Sequence, residues 1–72
     1  MTAPIATLGD ALPREMSRVR DQVMPPYLAI GPGGRFALMM MRAALDDAAR
    51  AMAAGDVVDM IRAYESLKGF DA

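Results

Sequence analysis

Neither cysteine nor histidine occurs in this chain. Without cysteine there is no disulfide framework, no thiolate metal site and no thiol nucleophile. Without histidine the commonest general base and the commonest zinc ligand are missing as well. A cysteine-free chain also fits a reducing compartment. Tryptophan is absent, and tyrosine and phenylalanine occur twice each. Valine and isoleucine are sparse beside abundant alanine, which favours helix over strand. Long apolar runs are lacking: the longest, Phe36 to Met41, is closed off by Arg35 and Arg42, far short of the roughly 20 residues a bilayer span needs. The net charge is only -1, so no global field draws in nucleic acid or an anionic membrane. No basic start followed by an apolar run opens the chain, where Pro4, Asp10 and Pro13 intervene. The expectation is therefore a cytoplasmic protein without a signal peptide.

What is present is helix-forming, amphipathic and unusually rich in methionine, with eight in 72 residues and three of them consecutive at Met39, Met40 and Met41. The length suits one small helical domain over residues 1–72, near the lower limit for a chain that folds without staples. Residues 1–9 read as a capless lead-in, flexible or laid along the body through Ile5 and Leu8. Asp10 is the predicted N-cap of a first helix over about 11–23, with Pro13 in its first turn, where a missing N–H costs nothing. Leu12, Met16, Val19 and Val23 recur at helical spacing as one apolar stripe. Pro25 and Pro26 are expected to end this helix, because a residue before proline avoids the helical region.

Tyr27 to Gly34 is predicted to be an ordered Pro/Gly loop that tucks Tyr27, Leu28 and Ile30 into the core and turns the chain at Gly31, Pro32, Gly33 and Gly34. A second helix follows over about 35–54, with Leu38, Met41, Leu45, Ala48 and Met52 stacked on one side. Arg35, Arg42, Asp46 and Arg50 fall on the other. Gly55 and Asp56 then form a cap-to-cap turn into a third helix over about 57–68, with Asp59 favouring the same N-terminus. Its predicted inner face is Val57, Met60, Ile61, Tyr64 and Leu67. Gly69 stops it, and Phe70 is placed to fold back. So short a link makes the last two helices an antiparallel hairpin. The expected architecture is all-α: a three-helix unit.

The segment that breaks this division is the start of the second helix. Phe36, Met39 and Met40 point away from the main stripe, so these turns are apolar nearly all round. Thioethers are flexible and polarizable enough for gap-filling core or for a contact surface. Three consecutive positions cannot all face one neighbour, however, and in a chain this small another copy is the most economical second surface. Phe36, Met39 and Met40 are therefore the candidate interaction surface.

Other candidates read more simply as structure. Gly31 to Arg35 could cradle an anion at a helix start, but it lacks the lysine and spacing of a phosphate-binding loop, and a structural turn is the preferred reading. Asp46 and Asp47 diverge by about 100° on a helix and cannot share a metal or substrate. Arg14, Arg18, Arg20 and Arg35 could contact nucleic-acid phosphates or another anion; Glu15 and Asp21 dilute that patch, and no aromatics interleave it. No carboxylate, tyrosine or arginine falls into a catalytic pairing. The residues call for no cofactor, no metal and no small-molecule substrate.

Ala53-Ala54-Gly55-Asp56, followed by Ile61, Ala63-Tyr64-Glu65 and Leu67, resembles the turn and second helix of a tetratricopeptide repeat. The earlier large apolar positions of that repeat are filled here by Ala44, Asp47, Ala48 and Ala51, and no second unit follows. The resemblance, over residues 45–67, implies one helical hairpin and no ligand. The run from Met24-Pro25-Pro26-Tyr27 through Arg35-Phe36-Ala37 to Ala63-Tyr64-Glu65 resembles small uncharacterised proteins encoded in bacterial prophages. That implies a bacterial or phage protein and no particular activity. The expected function is a non-enzymatic module for protein–protein contact, most simply a homodimer, with a small nucleic-acid-binding regulator acting through the arginines of the first helix as the alternative.

Overall fold

The computed structural model describes residues 7–71, and among them the structure is all-α, with no strand. The elements run α1 (Leu8–Arg18), a π-helical turn (Val19–Val23), α2 (Met24–Ile30), a 3-10 turn (Gly31–Gly34), α3 (Arg35–Ala54) and α4 (Val57–Lys68). Helical turns thus follow one another without a break from Leu8 to Ala54, and the irregular loop expected at 27–34 is itself helical.

The first helix starts earlier than the predicted position. Thr7, not Asp10, is the N-cap: its hydroxyl accepts the Asp10 backbone N–H at 3.2 Å and donates to the Asp10 carboxylate at 3.1 Å. Two side chains three residues apart close the turn together, a stronger stop than either alone. Leu8 opens α1 and is half-buried, whereas Ile5 lies outside the described residues. Pro13 consequently sits in the second turn. The carbonyl it leaves without a helical donor belongs to Gly9, which is exposed and open to water.

Pro25 and Pro26 do not stop the chain either. Their missing N–H groups would orphan the carbonyls of Asp21 and Gln22, and the Pro25 ring would press on the preceding turn. The backbone widens there into a π turn, closed by the Met24 N–H on the Val19 carbonyl. Both prolines then fall in the first turn of α2, where no N–H is required.

A straight helix over residues 8–54 would measure about 70 Å, but the molecule's longest dimension is 44 Å. The path turns at Gly31, whose φ of 80° and ψ of -139° are open only to glycine. Three residues on, a Cβ on Gly34 would stand 2.2 Å from the Tyr27 carbonyl oxygen, so only glycine lets the two backbones approach. Because 27–30 is helical, one of its side chains faces inward and the others fan away. Tyr27 packs half-buried on the core, while Leu28 and Ile30, both expected inside, are exposed.

At the far end of α3, Gly55 adopts the left-handed conformation. The Gly55 N–H donates to the Met52 carbonyl at 3.2 Å and the Asp56 N–H to the Ala51 carbonyl at 3.1 Å, which closes the helix. Asp56 Oδ1 then accepts the Asp59 N–H at 3.2 Å and starts α4. A two-residue link leaves α4 lying back along α3. The inner face of α4 is Met60, Ala63, Tyr64 and Leu67; Val57 and Ile61, expected within it, are exposed. The cause is small-residue packing. Ala63 in α4 and Ala48 and Ala51 in α3 are all buried, and alanine at the contact lets two helices pack closely and turns the larger β-branched residues outward.

α4 packs against both α3 and α1, and α2 against α3, so the molecule is 30 Å wide but only 15 Å thick. Leu12, Val19, Val23, Met41 and Leu67 fill the core, and no polar side chain is buried among the described residues. The C-terminal segment is tied down by two side chains. Arg18 Nη2 donates to the Leu67 carbonyl at 3.0 Å and to the Phe70 carbonyl at 2.9 Å, while its Nε donates to Glu15 at 3.1 Å. The Tyr27 hydroxyl donates to the Asp71 carbonyl at 3.0 Å.

Candidate interaction surface

α3 is phased by its buried residues. Leu38, Met41, Ala48 and Ala51 face inward, and helical geometry then sends Phe36, Met39 and Met40 to the opposite arc. They are 70%, 60% and 47% exposed. All three residues singled out in the sequence therefore lie on the surface within two turns of one another. Met41, the third of the consecutive methionines, is the one that fills the core.

Two concavities border this arc. One, of about 590 Å³, runs between α3 and α4 from Met40 to Ala54 and Asp59, with Ala44, Ala51 and Ala63 along it. The other, of about 770 Å³, lies between the end of α2 and α3, lined by Leu28, Pro32, Leu38 and Met39 with Arg35 and Arg42 at its rim. Both are open grooves; the first mixes alanines with Asp47, Asp59, Arg50 and Arg62, and the second has no carboxylate in its lining. Among the described residues no cluster of three acidic side chains could hold a metal ion.

A second apolar patch went unread in the sequence. Val57 and Val58 are 60% and 58% exposed, and Ile61 is 48% exposed, on the outer arc of α4. The missed signal was Ala63: once alanine rather than Ile61 is taken as the inward residue, the helix rotates and this group becomes surface.

The arginines do not converge. Arg14 and Arg18 flank a shallow depression on α1. Arg18 is engaged with the end of α4 and with Glu15. Arg20 stands beside Asp21 at 3.6 Å and donates to the Ser17 hydroxyl. Arg35 lies elsewhere, at the groove beside α2. Gly31–Gly34 runs directly into α3 as a 3-10 turn whose last residue is packed on Tyr27. Asp47, of the adjacent aspartates, pairs with Arg50 at 2.7 Å on the exposed face.

No helix among the described residues is long and apolar enough to cross a membrane. No protein-family model matches the chain, and comparison with curated proteins and with solved structures found no match.

Proposed function

We propose that this chain is a non-enzymatic interaction module that associates with a second copy of itself through the surface around Phe36, Met39 and Met40. In this reading it is a cytoplasmic protein of bacterial or phage origin, its folding unit three packed helical arms with the first two joined through the turn at Gly31. The observation that carries the reading is the exposure of three large apolar side chains in two consecutive turns of α3. Exposed apolar residues scattered singly need no explanation, but a contiguous group bordered by polar residues marks a contact site. A molecule 15 Å thick also has little interior of its own, so a chain of this size gains disproportionately from a partner.

Size-exclusion chromatography with light scattering tests it. The expected mass is near twice the 7.7 kDa of the chain, falling to the single-chain value in Met39→Glu and Met40→Glu. A parent protein that stays at single-chain mass at high micromolar concentration sinks the reading.

A further inference from the structure

We infer that the groove between α2 and α3 binds an acidic amphipathic helix of a partner protein. The carboxylates of that helix meet Arg35 and Arg42, and its apolar side chains lie on Leu28, Leu38 and Met39. This goes beyond self-association, because of Phe36, Met39 and Met40 only Met39 lines the groove.

The groove is the inside of the elbow made at Gly31. Leu28 comes from the end of α2, Gly31 and Pro32 from the turn, and the opposite wall from α3. Its volume is about 770 Å³, within the roughly 300–1,000 Å³ of surface sites that take a ligand. Along α3 the lining residues Arg35, Leu38, Met39 and Arg42 fall at i, i+3, i+4 and i+7. That spacing puts them on one stripe, with the two arginines rooted about 10 Å apart along the axis. Leu38 is buried beneath the groove, whereas Leu28 and Met39 are 55% and 60% exposed.

Charge decides what the groove takes. Between Asp21 and Asp46 the sequence has no carboxylate, and its only charged residues are Arg35 and Arg42. Both line this groove. The described ion pairs are Arg18 with Glu15, Arg20 with Asp21 and Arg50 with Asp47, so neither arginine has a carboxylate partner among the described residues. Asp46, four residues beyond Arg42, is exposed and outside the lining. An apolar groove with a cation at each end is complementary to an apolar segment with a carboxylate at each end. Rooted two turns apart with Leu38 and Met39 between them, the arginines match two separate carboxylates rather than one small anion. Two cations around apolar side chains are also too few to hold a phosphate backbone. An extended segment would leave backbone N–H and C=O groups against apolar walls, whereas a helix satisfies its own. The matching pattern is Glu-x-x-Leu-Leu-x-x-Glu, the mirror in charge of the stripe on α3.

A synthetic helix tests the inference. The probe is an alanine-based peptide of about 20 residues, long enough to hold helix, with Glu-x-x-Leu-Leu-x-x-Glu on one face and a neutral fluorescent label. A matched peptide carries lysine for both glutamates. Titration with the full chain, read by fluorescence anisotropy, should give micromolar binding of the glutamate peptide and at least about 10-fold weaker binding of the lysine peptide. Arg35→Glu with Arg42→Glu, both at exposed positions, should reverse that preference. Arg14→Glu with Arg62→Glu makes the same change in net charge away from the groove and should alter binding less than about twofold. Amide shifts in nuclear magnetic resonance should centre on Leu28, Gly31, Leu38 and Arg42. The proposal is overturned by a chain that binds neither peptide below about 1 mM or prefers neither. It is equally overturned by a remote variant that loses as much as the groove variant, or by shifts centred on Val57 to Ile61. If the reversed variant loses its helical dichroism, Arg35→Gln with Arg42→Gln replaces it, with a loss of about 5-fold expected and an undiminished affinity refuting the groove. Two other occupants would show themselves without peptide binding. Cosedimentation with phosphatidylglycerol vesicles that needs Arg35 and Arg42 would assign the groove to a lipid surface, and a mass that falls to one chain in the reversed variant would assign it to a second copy. The mass of the parent protein without peptide decides self-association separately, so either reading can fail while the other stands.

Discussion

Replacing Arg18 with alanine should destabilise the fold far more than its place on an amphipathic helix surface suggests. Its guanidinium donates to two carbonyls at the end of α4, at 3.0 and 2.9 Å, and Glu15 holds it in position. Those carbonyls belong to Leu67, in the last turn of α4, which also accepts the Phe70 backbone N–H at 3.1 Å, and to Phe70, just beyond the helix. Hydrogen bonds from a charged donor contribute about 1.5–3 kcal/mol each. The Arg18 side chain is 30% exposed, so water recovers part of both, and the expected loss for Arg18→Ala is about 2–3 kcal/mol in total. A domain of this size has roughly 4–10 kcal/mol of stability, and the thermal midpoint should fall by about 10–20 °C. Urea unfolding followed by circular dichroism measures the loss, and amide exchange locates it: protection should drop first at Leu67 to Phe70. Arg18→Lys should recover less than half, since one ammonium cannot bridge two carbonyls and also meet Glu15 through a planar fork. A loss under about 0.5 kcal/mol for Arg18→Ala, the level of an ordinary surface substitution, would refute the clamp.

Gly34→Ala forces a Cβ to 2.2 Å from the Tyr27 carbonyl oxygen, a clash with backbone that no rotamer relieves; a loss of at least about 2 kcal/mol is expected in urea, with altered near-ultraviolet dichroism from Tyr27. Leu67→Ala empties a fully buried site and should cost about 2–5 kcal/mol, whereas Val57→Ala, at a position 60% exposed, should change single-chain stability by less than about 0.5 kcal/mol. Equal losses for the two would contradict the α4 rotation described above. Asp56→Ala removes the side-chain acceptor for the Asp59 N–H and should cost about 1 kcal/mol, with the amide exchange of Asp59 accelerated; an unchanged exchange rate there would remove the cap.

Much of this fold could be read along the chain because it depends on local chemistry. The stripe Leu12, Val19 and Val23 is buried as its spacing requires, and Gly55 with Asp56 ends one helix and starts the next. The surface position of Phe36, Met39 and Met40 was also legible, since the core can claim only one side of a helix. The errors share a different cause. Prolines 25 and 26 read as a stop because a stop is what they impose on an α-helix; a π turn evades the rule, and nothing local announces it. Leu28 and Ile30 read as core because they are apolar, but once their segment is helical only Tyr27 has a core to face. Val57 and Ile61 read as the inner face of α4 because they are the larger residues.

The sequence by itself determined where helix is favoured, which turns glycine must make, that cysteine and histidine chemistry is unavailable, and which turns of α3 have too many apolar sides. Each of these is set by a residue and its near neighbours. Only the tertiary structure decided how α4 is rotated, which arginine closes the C-terminus and which apolar groups remain uncovered. Those depend on distances between segments far apart in the chain: Ala63 of α4 is buried in the same core as Ala48 of α3, which leaves Ile61 outside it. Arg18 finds Leu67 and Phe70 only because α1 and α4 are packed together.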